Sequence, residues 1–338
     1  MRRSVGLALA GATVVLVGTS LGHPGAHAAV AAGPCPATTG YGNPLPSPAM
    51  TAAKLTGGFN FLEGPVWDAA TGTLLMSNMQ NPAGPERVQA SSILRFTPPA
   101  TVRTFVAGSG SNGLAITPDG STILAATHDR RSVSSYRLSD GLRGVVATAD
   151  PLRRRFNSPN DLTVRSDGTV YFTDPSFQRG ARPDDQRGRT GVYRVRAGVV
   201  SLVDDTVVQP NGIVLSPDGR TLYVGGNAAN TVFAYPVAAD GSTGTRTRFA
   251  TLPGPDGATV DCAGNIYWAS YNDGRVHVFS PSGQRLGTIS AGRNTTNVAF
   301  GGADRRTLYL TSGTPSSGGA PGDFGLYSVR LNVPGYPY

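Results

Sequence analysis

Asn211-Gly-Ile-Val-Leu-Ser-Pro-Asp-Gly, followed two residues later by Leu222-Tyr-Val-Gly-Gly-Asn, is the stretch that decides the fold. A polar residue opens a short apolar strand. Ser-Pro-Asp-Gly then makes a tight turn, because proline presets φ and Asp-Gly tolerates the left-handed conformation. A second apolar strand follows. Five other segments repeat the form: Glu63-Gly-Pro-Val-Trp-Asp with Thr73-Leu-Leu-Met-Ser-Asn; Asn112-Gly-Leu-Ala-Ile-Thr-Pro-Asp-Gly with Ile123-Leu-Ala-Ala-Thr; Asn160-Asp-Leu-Thr-Val-Arg-Ser-Asp-Gly-Thr-Val-Tyr-Phe-Thr-Asp; Asp256-Gly-Ala-Thr-Val-Asp-Cys-Ala-Gly-Asn-Ile-Tyr-Trp-Ala-Ser; and Asn297-Val-Ala-Phe-Gly-Gly with Leu308-Tyr-Leu-Thr-Ser. The opening residues 63, 112, 160, 211, 256 and 297 are spaced by 49, 48, 51, 45 and 41.

A period of about 40–50 residues with room for four short strands predicts propeller blades. The third strand of a unit shows in the alternation of Arg275-Val-His-Val-Phe and Thr231-Val-Phe-Ala-Tyr, and a weaker fourth run in Gly287-Thr-Ile. Helical periodicity over ten or more residues is not seen. The 45 glycines and 26 prolines suit many tight turns. The expectation is an all-β, six-bladed β-propeller with four-stranded antiparallel blades over residues 52–338. Six regular repeats argue against a plain sandwich. Leu326-Tyr-Ser-Val-Arg-Leu reads as a late strand of the final blade, and how the ring closes stays open.

In a propeller the innermost strand of each blade lines the central channel, so its first residue sits near the axis at one mouth. Those positions carry Glu63, Asn112, Asn160, Asn211, Asp256 and Asn297. Two carboxylates facing each other repel unless one is protonated or a cation intervenes. An all-oxygen set of carboxylates and carboxamides suits a hard divalent ion, Ca²⁺ or Mg²⁺. A ring of turn residues capping strands is the plainer alternative, and six at one register favour the metal site.

The chain begins Met1-Arg2-Arg3, continues with an apolar run over residues 5–17, and reaches Ala26-His27-Ala28. That order predicts a secretory signal peptide over 1–28, too short to span a membrane comfortably, and hence a secreted or periplasmic product. Residues 29–51 read as a flexible lead-in rich in Pro, Ala and Gly. The formal charge of +8 includes Arg2 and Arg3. Arginines are scattered, with one cluster at Arg153, Arg154 and Arg155 that reads as a solvated loop, so no nucleic-acid partner is expected. Export permits a disulfide between Cys35 and Cys262, and two cysteines leave the pairing open. Only His128 and His277 lie beyond the leader, which excludes a zinc site built on several histidines. His277 reads as a blade residue, and His128 as a candidate near a mouth. Gly108-Ser-Gly-Ser-Asn-Gly113 precedes a strand rather than a helix and reads as a loop.

In chain order the sequence carries Glu63-Gly-Pro-Val-Trp, Asn157-Ser-Pro-Asn-Asp-Leu, Tyr171-Phe-Thr-Asp-Pro, Gln209-Pro-Asn-Gly-Ile, Pro255-Asp-Gly-Ala-Thr-Val-Asp and Gly264-Asn-Ile-Tyr-Trp-Ala-Ser-Tyr-Asn-Asp-Gly-Arg-Val. With these it resembles the gluconolactonase/regucalcin (senescence marker protein) family from about residue 62 onward. The resemblance implies a six-bladed propeller with one catalytic divalent metal. It places Glu63, Asn211 and Asp256 as metal ligands, Asn160 near the metal or the substrate, and Asp256 also as general base. Asp161 and Asp174 fall in matching motifs and read as support for the site or a blade turn. Animal members carry an arginine where this chain has Ser158, which leaves substrate preference open.

The expected function is a metal-dependent hydrolase of a lactone or similar small ester, with Asn160, Asn112 and Asn297 positioning the substrate. Ca²⁺ is the first choice of ion, with Mg²⁺, Mn²⁺ and Zn²⁺ as alternatives. Two other functions remain: a non-enzymatic propeller that binds a ligand or protein, and a metal-dependent phosphotriesterase-like esterase.

Overall fold

The computed structural model describes residues 35, 36, 40–183, 188–317, 320 and 322–337. The expected leader, 1–28, lies outside the described residues. The described residues form six sheets, each built on a four-stranded antiparallel blade, and no helix occurs among them. Blade one runs outward through Leu62–Asp68, Thr73–Ala83, Val88–Thr97 and Thr101–Val106. The innermost strands of blades two to six are Ser111–Ile116, Leu162–Val164, Pro210–Leu215, Pro255–Val260 and Asn294–Gly301. Each contacts the next, and the sixth contacts the first, so the ring is complete.

The repeated turn explains why each unit forms a hairpin. In blade four the Asp218 carboxylate accepts Ser216 Oγ at 2.6 Å and Arg220 N at 3.0 Å, while Gly219 takes φ +63°. Asp119 and Gly120 do the same in blade two. The apolar strands then pack blade against blade. Leu75 and Ile93 meet Leu114 and Ile123; Phe156 and Phe172 meet Ala115 and Leu124; Tyr171 meets Ile213 and Val224. Tyr223 meets Trp268, Val276 meets Val298, and Tyr309 meets Leu74, which returns to blade one. Burying such a side chain stabilises by about 1.5–3 kcal/mol. One blade has nothing to bury its faces against, so stability belongs to the ring.

Closure comes from the N-terminal side. Ala53–Phe59 pairs antiparallel with Asp323–Arg330 and becomes the outermost strand of blade six. The stretch read as a flexible lead-in is packed over residues 40–51: Ala49–Thr51 adds a parallel strand to Arg285–Ser290 of blade five. The physical reason is apolar burial, since Leu45 and Ala52 belong to the core between blades five and six. Cys35 and Cys262 are bonded, which ties the start of the described chain to the first turn of blade five. Beside that turn the C-terminal segment crosses the lower end of the channel. Cys262 N donates to Pro334 O, Gly335 N to Arg305 O and Tyr336 N to Val260 O. Tyr336 and Pro337 thus wall the lower end of a channel cavity of about 90 Å³ whose other residues include Gly64, Asp161 and Asn297.

Candidate active site

All six anchor side chains are buried: Glu63, Asn112, Asn160, Asn211, Asp256 and Asn297 are each no more than 6 % exposed. Their orientation has a backbone cause. The pairing of the two innermost strands shifts register at the anchor in blades one, two, four, five and six. A bulge of this kind re-aims a side chain. The following glycine is then forced by space. A Cβ on Gly212 would lie 1.8 Å from Asp256 O, one on Gly64 2.3 Å from Asn112 O, and one on Gly257 1.9 Å from Asn297 Cγ. Neighbouring strand starts are in contact around the axis, which is why Glu-Gly, Asn-Gly and Asp-Gly recur in the sequence.

Blade three departs from this rule, and the departure adds to the site. Its inner strand begins only at Leu162, and Asp161 stands where the other blades carry glycine or, in blade six, Val298. A Cβ on Gly113 would meet the Asp161 carboxylate at 2.3 Å. The ring therefore holds three carboxylates. Burial pushes Glu63 up to about 8, and the charge of Asp161 adds to the effect. Asp161 rises to about 7 through burial. Asp256 is raised well above the usual carboxylate range by burial first, then by Glu63 and Asp161. The carboxamides counter this in part. Asn297 lowers both Glu63 and Asp161, and Asn211 lowers Asp256. Asn160 Nδ2 donates to Gln178 Oε1 at 3.3 Å. Asn112 Nδ2 is buried with no hydrogen-bond partner among the described residues.

Three buried, mutually repelling carboxylates and an orphan amide suit a positively charged, oxygen-loving guest. Among the described residues no three His, Cys, Asp or Glu side chains are gathered into a ready-made metal cluster. A cation here would draw its ligands from carboxylates of different blades together with carboxamide oxygens. The donor set fits a hard divalent ion.

The other sequence candidates separate clearly. Asp174 lies in the layer behind the ring. It accepts Asn157 N at 2.9 Å, Ser158 N at 2.8 Å and Asn157 Nδ2 at 3.2 Å, which fixes the loop leading to Asn160 and Asp161. Ser158 Oγ donates to Pro175 O and accepts Gln178 N. His128 is not part of the ring. Its Nε2 lies 2.8 Å from Gln89 O, its own carbonyl accepts Arg182, and burial pushes it down to about 4, so it stays neutral and braces blades one and two. His277 pairs with Asp273 within blade five, as a blade residue should. Two rim residues escaped the sequence reading. Tyr271 follows the second strand of blade five, and its ring lies 6.4 Å from that of Phe61, which in turn rests on Phe324 at 4.5 Å. Neither follows the repeat, so no sequence signal marked them.

Fold and site together define a propeller with a carboxylate-lined axial chamber. The chain belongs to the SMP-30/Gluconolactonase/LRE-like family, whose pattern matches residues 61–314. A gluconolactonase of Zymomonas mobilis is 30 % identical over 282 residues, covering 74 % of this chain and 75 % of the relative. The pentonolactonase XacC of Haloferax volcanii is 32 % identical over 217 residues, 62 % of this chain and 70 % of the relative. Among solved structures, a gluconolactonase of Xanthomonas campestris superposes with a TM-score of 0.68 at 26 % identity, covering 86 % of this chain and 99 % of that one.

Proposed function

We propose that this chain hydrolyses a lactone, opening its ring with water at the axial carboxylates, and that it uses one divalent cation to do so. The observation that carries the reading is that Glu63, Asp161 and Asp256, each buried at the start of a different blade's inner strand, feel one another's charge, with the unpartnered Asn112 amide in the same ring of strand starts. The similarity to proteins named as gluconolactonase and pentonolactonase supports the substrate class.

Glu63, Asn211 and Asp256 would hold the cation, with Asn160 completing the set, and Ca²⁺ matches their oxygen chemistry best. Once bound, the ion supplies charge that keeps the carboxylates ionised and a Lewis acid that polarises the lactone carbonyl. The chain's own residues do the rest. Asp256 orients a water and accepts its proton as the oxygen attacks the carbonyl carbon. Asn112 Nδ2 donates to a substrate oxygen, and this answers its lack of a partner in the folded chain. Asn297 keeps Glu63 and Asp161 in place. The C-terminal segment at Tyr336 walls the lower end, so substrate enters from the ring side.

We further propose that residues 1–28 are an export signal. The Cys35–Cys262 bond supports this, because such bonds persist in oxidising compartments.

The test is a panel of aldonolactones, simple γ- and δ-lactones, aryl esters and phosphotriesters, run after chelation and again with Ca²⁺, Mg²⁺, Mn²⁺ or Zn²⁺. Lactone opening that disappears on chelation and returns with one ion is the expected outcome. Turnover of phosphotriesters alone, or undiminished activity in chelator, refutes the reading.

A further inference from the structure

Lactone opening develops negative charge on two oxygens in turn: the carbonyl oxygen when water attacks, and the ring oxygen when the C–O bond breaks. A site that stabilises both needs a donor for each. Asn211 is assigned to the cation, Asn297 lies beside Glu63 and Asp161, and Asn112 lies deep in the ring at 1 % exposure. The departing oxygen therefore needs another donor nearer the rim.

Tyr271 occupies that place. It comes one residue after Ser270, which pairs with Pro255 at the start of the strand that carries Asp256. Its backbone is pinned on both sides: its N donates to Gly254 O at 3.0 Å, and its carbonyl accepts Asn294 Nδ2 at 2.8 Å. Its ring is set against Phe61, two residues before Glu63. The phenol thus stands between blades one and five, close enough to feel the charges of both Asp256 and Glu63. The hydrogen bonds that hold Tyr271 among the described residues are those of its backbone, and its hydroxyl takes none. The backbone at Tyr271 is fixed, and the half-buried side chain leaves its hydroxyl free to meet a ligand at the rim.

We propose that Tyr271 contacts the substrate and donates its hydroxyl hydrogen bond to the ring oxygen that leaves as the lactone opens. The proposal rests on the lactone-opening reading above. Water gives its oxygen to the acyl carbon and one proton to Asp256. The acyl carbon–ring oxygen bond then breaks, and its electron pair stays on the ring oxygen. That oxygen accepts the Tyr271 hydrogen bond and takes the proton Asp256 received, so none is gained or lost overall. Burial, then Asp256 and Glu63, push the phenol up to about 12, so it keeps its hydrogen throughout the neutral range.

Tyr271→Phe tests this, because it removes the hydroxyl and keeps the ring against Phe61. Both proteins are assayed on lactones that the wild type opens, graded by leaving-group basicity from dihydrocoumarin, which releases a phenolate, to aliphatic δ-lactones, which release an alkoxide. The phenolate needs little help from a donor and the alkoxide needs much. The variant should lose about 100-fold in kcat on the aliphatic lactones and less than about 3-fold on dihydrocoumarin, with KM and melting temperature nearly unchanged. Equal losses across the series, or none, overturn the role assigned to Tyr271 while leaving the lactonase reading intact. A wild type that opens no lactone overturns that reading and this proposal together.

Discussion

At the scale of single residues, burial makes the axial carboxylates reluctant to ionise. Without a cation, Glu63 sits near 8, and Asp161 and Asp174 near 7, against ordinary values of 4.5 and 3.8. The folded protein holds these protons where the unfolded chain has released them. Their stabilising contribution is complete below about pH 4 and fades as pH rises through 7 and 8. Chelated protein should therefore melt lower at about pH 8.5 than at about pH 5.5, and excess Ca²⁺ should remove most of the difference. A melting temperature that rises with pH in chelator would contradict this. Glu63→Gln deletes one charge from the proposed ligand set, so calorimetry should find Ca²⁺ affinity weakened at least about 10-fold. Unchanged affinity would remove Glu63 from the set. Glu63, Asn211 and Asp256 were legible because each opens a repeat. Asp161 was legible only as a motif residue: its role follows from a shortened strand in blade three, which no spacing reveals.

At the scale of elements, the bulge and the glycine behind each anchor form one device. The bulge turns the anchor side chain toward the axis, and the glycine lets the next blade approach. Gly212→Ala tests the second half. Its Cβ falls 1.8 Å from Asp256 O, a backbone atom that cannot swing aside. Denaturation should show a loss of about 3 kcal/mol or more, with weaker cation binding because Asp256 moves. A neutral outcome would mean the ring is looser than described. The first two strands and the turn of each blade were readable from alternation and Asp-Gly signals, because these are local properties. The ordering of residues 40–51 was not. Its cause is Leu45 and Ala52 meeting a core more than two hundred residues away, and nothing within the Pro- and Gly-rich stretch announces that.

At the scale of the whole molecule, a six-bladed ring concentrates at its axis the residues that the chain spreads over most of its length. Two long-range ties hold it shut: Ala53–Phe59 on blade six, and the Cys35–Cys262 bond across 227 residues of sequence. A loop that long is worth about 5.5 kcal/mol in the chain-entropy view. Cys262→Ser should lower the melting temperature by several degrees and leave kcat within about 3-fold, since the bond lies at the channel end opposite the ring. Closure was beyond sequence reading, because which terminus supplies the last strand depends on the geometry of the finished ring. In the proposed reaction Asp256, brought to the axis by the fold, activates the water that opens a lactone. The most direct measurement is the initial rate of lactone opening, followed by pH-stat with saturating Ca²⁺, for the wild type and Asp256→Asn. Asp256→Asn should lose at least about 1,000-fold in kcat; a variant that keeps a tenth or more of the wild-type rate would show that Asp256 does not activate the water.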